Sequence, residues 1–200
     1  MTISASLTRR RSSWMPSRRW WSGGAPRRRL ALTPAPPGTD PQPMAERVTE
    51  VYSLLVPLID ARLIIPRSCV AEVIGFQTPS EMTGAPPWYI GTVPWNGKAV
   101  PLVSFEGACG QMIPPASGRT RIVILHALGT RVEGGNFALI SQGFPQLVRV
   151  SSDVVRPDNS RVFPERTPII CQIRMVNETP LVPDLERLEE MIAEETRIGA

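Results

Sequence analysis

The side chains best suited to nucleophilic, redox or metal chemistry in this 200-residue sequence are one histidine, His126, and three cysteines, Cys69, Cys109 and Cys171. The cysteines stand 40 and 62 positions apart, so no CxxC is present to hold zinc or run thiol–disulfide exchange. An odd count without a secretion signal suits buried or half-buried free thiols in a reducing cytosol. His126 closes a run of Ile and Leu, and neither a metal site nor a triad can be completed around it. It is expected to be a satisfied core or edge residue. No GxGxxG opens a helix, no P-loop occurs, and no acids stand in a zinc or calcium spacing. GTRVEGGN (129–136) is glycine-bearing but lies between two strand candidates, and so reads as a hairpin loop. The expectation is a protein that is not an enzyme and has no cofactor and no metal.

The elements that would position any site are short. Apolar residues at 42% with 20% charge describe a chain able to bury a core, and 22 Pro with 15 Gly favour strands and turns over long helices. No run approaches the roughly 18 apolar residues that a membrane span needs, so no direct membrane insertion is expected. VYSLLVPLI (51–59), RLIIP (62–66) and CVAEVIGF (69–76) predict a strand meander; WYIGTVPW and KAVPLVSF follow, joined by Asn96-Gly97. Asn-Gly is the strongest short hairpin signal, because a type I′ turn needs positive φ at both central residues. A loop over 106–119 precedes five further strands: 120–128, 136–141, 146–150, 169–176 and 180–183, with a long polar loop to Pro168. Two such units predict a pair of small closed barrels packed together. DLERLEEMIAEETRI predicts a closing amphipathic helix, with Asp184 as N-cap and Leu185, Leu188, Ile192 and Met191 as its apolar stripe.

Charge is unevenly divided. Residues 1–43 carry eight arginines against Asp40, a net +7, whereas from Met44 onward 14 Lys/Arg meet 17 Asp/Glu, a net −3. The first 43 residues, without periodicity and rich in Pro, Arg and Trp, are expected to be a disordered extension preceding a domain over 44–200. The start codon is expected to be that of Met1 or of Met44, where the composition changes. As an arm for nucleic acid, the extension would pair guanidinium groups with phosphates and stack indoles on bases. Truncation at Met44 would then abolish salt-sensitive DNA or RNA binding.

With chemistry excluded, surface remains. Glu72 stands among Val70, Val73 and Ile74; an inward-facing, unpaired carboxylate would cost several kcal/mol, so it is expected to point outward, either as part of a mixed apolar and charged interface or on a solvated strand face. Across the Asn96-Gly97 turn, Trp95 faces Lys98 and Val93 faces Val100, while Pro101, Val103 and Phe105 lie on the other face. A hairpin apolar on both sides has one face in a core and the other against a second body. Pro94 and Pro101 remove ladder donors, as an edge tolerates.

The order of IIPRSCVAEVIGF, APPWYIGTVPWNGKAVPLVSF, ALISQGFPQLVRV and TPLVPDLERL, over about residues 48–190, resembles the CheW-like domain family. Within it the chain is most similar to ChpC-like adaptors of pilus-linked chemosensory systems. The resemblance implies an all-β fold of two intertwined five-stranded SH3-like barrels, about 48–106 and 119–183, with a short C-terminal helix over 184–198. It implies a non-enzymatic role, coupling a methyl-accepting chemoreceptor to a CheA-type histidine kinase beside other CheW-like proteins. The place would be cytoplasmic, in membrane-associated receptor arrays of a type IV pilus or twitching-motility pathway, with no nucleic acid partner. The expected protein-binding residues are Val70, Glu72, Val73 and Ile74 on one strand, Trp95, Asn96, Gly97 and Lys98 at the turn, and Val100 and Val103 after it. Glu72 stands at the family's VxEV glutamate and Gly97 at the glycine of its Arg-Gly turn. Asn96 replaces the family arginine, so an ion pair to Glu72 is lost and Lys98 would have to substitute. Ser141 and Gln142 end the strand where the family carries an acid.

Overall fold

The computed structural model describes residues 50–198; the extension expected over 1–43 lies outside the described residues. Among the described residues, eleven strands form two sheets. The first has the order β8 (Gln146–Val150), β1 (Val51–Pro57), β2 (Arg62–Pro66), β11 (Leu181–Pro183), β10 (Ile169–Arg174), β9 (Arg156–Asp158). The second has the order β3 (Val70–Gly75), β6 (Arg121–His126), β7 (Asn136–Ser141), β5 (Lys98–Val103), β4 (Tyr89–Trp95).

This arrangement corrects the sequential division into barrels at 48–106 and 119–183. β1 and β2 leave the N-terminal half: β1 pairs antiparallel with β8 and β2 parallel with β11, while β6 and β7 fill the centre of the sheet that holds β3, β4 and β5. Alternation along a strand says which face is buried but not which strand lies beside it. The sheets share one core. Leu54, Val56, Leu63 and Ile65 of the first meet Val103, Val123, Leu125, Phe137 and Leu139 of the second. A smaller cluster of Val93, Val100, Leu102, Ile122, Ile124, Ala138 and Ile140 fills the inside of the second sheet.

Two expected loops contain regular structure. Phe105 does not extend β5. It opens a one-turn helix, α1 (Phe105–Ala108), because Ser104 caps it, its Oγ accepting from the Gly107 N–H at 3.2 Å. The polar stretch before Pro168 contains β9, which pairs with β10 through Asp158 opposite Gln172. Its three residues, including Pro157, are too few and too polar to show alternation. Asp158 is buried; hydrogen bonding from Ser160 holds its carboxyl below the usual value, and Arg174 at 3.3 Å adds to this.

The closing helix, α2 (Leu185–Ile198), follows the predicted pattern: the Asp184 carboxylate accepts from the Arg187 N–H at 2.9 Å, and Leu185, Leu188 and Ile192 are buried in the shared core. Each such side chain contributes about 1.5–3 kcal/mol on leaving water. The β4–β5 hairpin turns on Asn96 (φ 48°) and Gly97 (φ 73°), as the type I′ pattern requires. Pro94 lies on an edge strand, but Pro101 does not, since β5 runs between β4 and β7. Pro101 is tolerated because the β5–β7 pairing begins only at Leu102.

Candidate protein-interaction site

β3 and β4 are the two edges of the second sheet, and one side chain from each joins them. The Trp95 indole N–H donates to the Glu72 carboxylate at 2.7 Å. A register shift between Val70 and Glu72 sets Glu72 opposite Ile124, and Trp95 stands opposite Lys98, so both project at the open rim of the small core. Glu72 is exposed, as expected; Trp95 is half-buried, its ring packed on that core together with Ile74 and Ile90. The hydrogen bond closes the sheet on itself and fixes an anionic oxygen beside an aromatic surface.

The turn adds to this rim. Asn96, Gly97 and Lys98 are exposed, and Lys98 Nζ donates to the Gly134 carbonyl at 3.3 Å in the β6–β7 connection. Lys98 therefore does not replace the missing family arginine opposite Glu72; the neutral Trp95 indole takes that place. Val73 is half-buried against the shared core. Burial corrects three of the expected contact residues, Val70 at 3%, Val100 at 2% and Val103 at 0% exposed: Val100 packs in the small core beneath the rim, whereas Val70 and Val103 face the shared core, so none of the three offers a side chain to the surface. Their side chains face cores whose strand membership local alternation does not specify. Ser141, at the position of the absent acid, is buried, and its hydroxyl reaches the Pro57 carbonyl at 3.1 Å and the Gly143 carbonyl at 2.8 Å, which joins the end of β7 to the end of β1. A carboxylate there would meet only acceptors.

The sequence reading missed a second exposed apolar strip, on the edge strand β8. Leu147 is 60% exposed and Phe144, in the turn before it, 66%, with the Arg121 guanidinium 4.7 Å from the Phe144 ring centre. The signal was present in FPQLVRV, where two large apolar residues sit in a polar turn and on a short strand.

The reactive groups remain separate. His126 is exposed at the end of β6, with Nδ1 3.3 Å from the Asn136 amide nitrogen. All three cysteines are free and half-buried. Among the described residues no group of three His, Cys, Asp or Glu could hold a metal ion, and no helix is long and apolar enough to cross a membrane. Burial, with the Glu106 charge beside it, pushes the Cys109 thiol up to about 12. Only the thiolate reacts, so at pH 8.5 folded Cys109 is expected to alkylate with iodoacetamide at least about a hundredfold more slowly than the same residue in urea. Mass-resolved labelling checks this; equal rates would show that the thiol is not shielded. The sign for stability follows: between the unfolded thiol's ordinary pKa and about 12 the folded state holds the extra proton, so Cys109 lowers stability as pH rises through that window.

No curated protein matches the sequence. Among solved structures, the scaffolding protein TtCheW from Thermoanaerobacter tengcongensis superposes with a TM-score of 0.60 at 14% identity, covering 74% of this chain and 92% of that one. At that identity the likeness is one of fold, and with it the all-β architecture of two SH3-like barrels and a short C-terminal helix holds. The sequence pattern of the CheW-like domain matches residues 53–190, well over half of the chain. The chain belongs to the CheW-like domain family.

Proposed function

We propose that the chain is a non-enzymatic adaptor of chemotaxis-type signalling. It joins a methyl-accepting chemoreceptor to a CheA-type histidine kinase, works beside other CheW-like proteins in cytoplasmic arrays, and serves a type IV pilus or twitching-motility pathway. The family supports the scaffolding role and the absence of catalysis. The observation that carries the choice of surface is the rim where the Glu72 carboxylate and the Trp95 ring are held together at 2.7 Å, next to exposed Asn96, Gly97 and Lys98. An aromatic anchor beside a fixed charge is the composition of an interface centre. Ile74 extends it along β3 and buried Val100 packs in the small core beneath it, while Val70, Val73 and Val103 turn to the shared core on the other side of the sheet.

Glu72→Lys and Trp95→Asp are each expected to weaken binding to the CheA-type kinase tenfold or more, measured by calorimetry on purified proteins, while the far-UV circular dichroism is unchanged. Leu147→Ser, on the β8 edge, should stay within about twofold of wild type. Wild-type kinase binding by both rim variants would remove the rim from the function.

A further inference from the structure

A cavity of about 670 Å³ opens among the β1–β2 turn, α1 with the chain that follows it, and the segment leading into β10. That volume lies within the range of small-molecule sites. Its walls are mostly apolar and include Leu58, Phe105, Phe163, Ile169 and Leu181. One buried charged group lines it: Glu106, 1% exposed. Glu106 Oε2 accepts from the Ser104 hydroxyl at 3.0 Å, whereas Oε1 is buried and has no hydrogen-bond partner among the described residues. A buried carboxylate oxygen left without a donor carries a desolvation cost that an entering donor would relieve, most of all a cationic one. Exposed Asp60 and Arg161 also line the cavity and offset one another in charge, so the sign of the lining follows Glu106.

We propose that this cavity is a binding site for a small amine with an apolar body, its protonated nitrogen drawn to Glu106 and its body lying against Phe105, Phe163 and Ile169. Such a site lies apart from the Glu72–Trp95 rim and would give the adaptor a small-molecule input.

The test uses the full chain and two probes of nearly equal shape, phenethylamine and 2-phenylethanol, titrated at pH 7 with binding followed by NMR line shifts. Phenethylamine should saturate with a Kd of a few mM or tighter, about tenfold below that of the alcohol. Glu106→Gln should erase that preference, and Ala61→Trp, which places an indole in the cavity from the β1–β2 turn, should abolish binding of both probes. Because Glu106→Gln removes part of the α1 capping contact and could unfold the protein, the probe pair on wild type and the folded Ala61→Trp variant decide the matter by themselves. No saturation by about 20 mM, equal affinity for amine and alcohol, or unchanged amine binding by Ala61→Trp would each overturn the site.

Discussion

Gly91→Ala is expected to cost on the order of 4 kcal/mol, read as a fall in the urea midpoint at unchanged slope, or as a Tm lowered by roughly 10 °C. Two independent causes act together. Gly91 has φ +136°, a conformation that L side chains rarely adopt, and a Cβ there would stand 2.2 Å from the Ser80 carbonyl oxygen. The obstructing atom is backbone and belongs to a bridge that cannot yield: Ser80 N–H donates to the Thr92 carbonyl at 2.8 Å and Thr92 N–H to the Ser80 carbonyl at 2.9 Å. Through this bridge the loop before β4 covers the outer edge of the hairpin strand that ends in Trp95. Gly84→Ala is the control that separates the causes: its φ is +83° but no atom lies within 4 Å of the added Cβ, so it should cost only about 1 kcal/mol. Equal costs for the two variants would mean that the loop moves aside and that the bridge does not hold the edge.

The contrast between the hairpin and its surroundings shows what local sequence carries. Asn96-Gly97 needs left-handed backbone at both positions, only that turn type provides it, and the strands on either side follow. The closing helix was legible for the same kind of reason, since Asp184, Leu185, Leu188 and Ile192 act over a single turn or two. The exchange of β1 and β2 into the sheet of the C-terminal strands was not legible, because a parallel contact such as Leu63 with Leu181 spans most of the domain and leaves no periodic trace. The site divides in the same way. That Glu72 faces out follows from the cost of burying it, but that its partner would be the Trp95 indole depends on two sheet edges meeting, a consequence of five strands in the order β3-β6-β7-β5-β4. Val70, Val100 and Val103 were misassigned to the surface because an apolar residue on a two-sided strand belongs to whichever face the fold covers.

Acids in the closing helix posed the opposite problem, and one of them leads to the second large effect. LERLEEMIAEE places Glu186, Glu189, Glu190 and Glu194 where a surface helix would, yet Glu189 is 0% exposed. Its two oxygens accept from the backbone N–H groups of Leu128 at 2.5 Å and Gly129 at 3.0 Å, so the helix grips the first residues of the β6–β7 connection. Further along, that connection receives Lys98 from the hairpin at Gly134 and sinks Val132 into the shared core. Hydrogen bonds to a charged acceptor are worth about 1.5–3 kcal/mol each, and both are lost together in Glu189→Ala, which is expected to cost about 3 kcal/mol in urea unfolding. Glu189→Gln should recover part of this, since its amide oxygen serves one N–H while its NH₂ faces the other. Glu190→Ala is the matched control: Glu190 pairs with Arg131 at 3.2 Å and Arg187 at 3.1 Å on partly exposed side chains, and its loss should cost less than about 1 kcal/mol. In Glu189→Ala, amide exchange should quicken at Leu128 and Gly129 before it does in β6 or β7, because the connection loses its anchor while the strands keep theirs. Should Glu189→Ala be no more costly than Glu190→Ala, water must satisfy those two N–H groups as well as the carboxylate does, and α2 would be packed on the barrels by its apolar stripe alone.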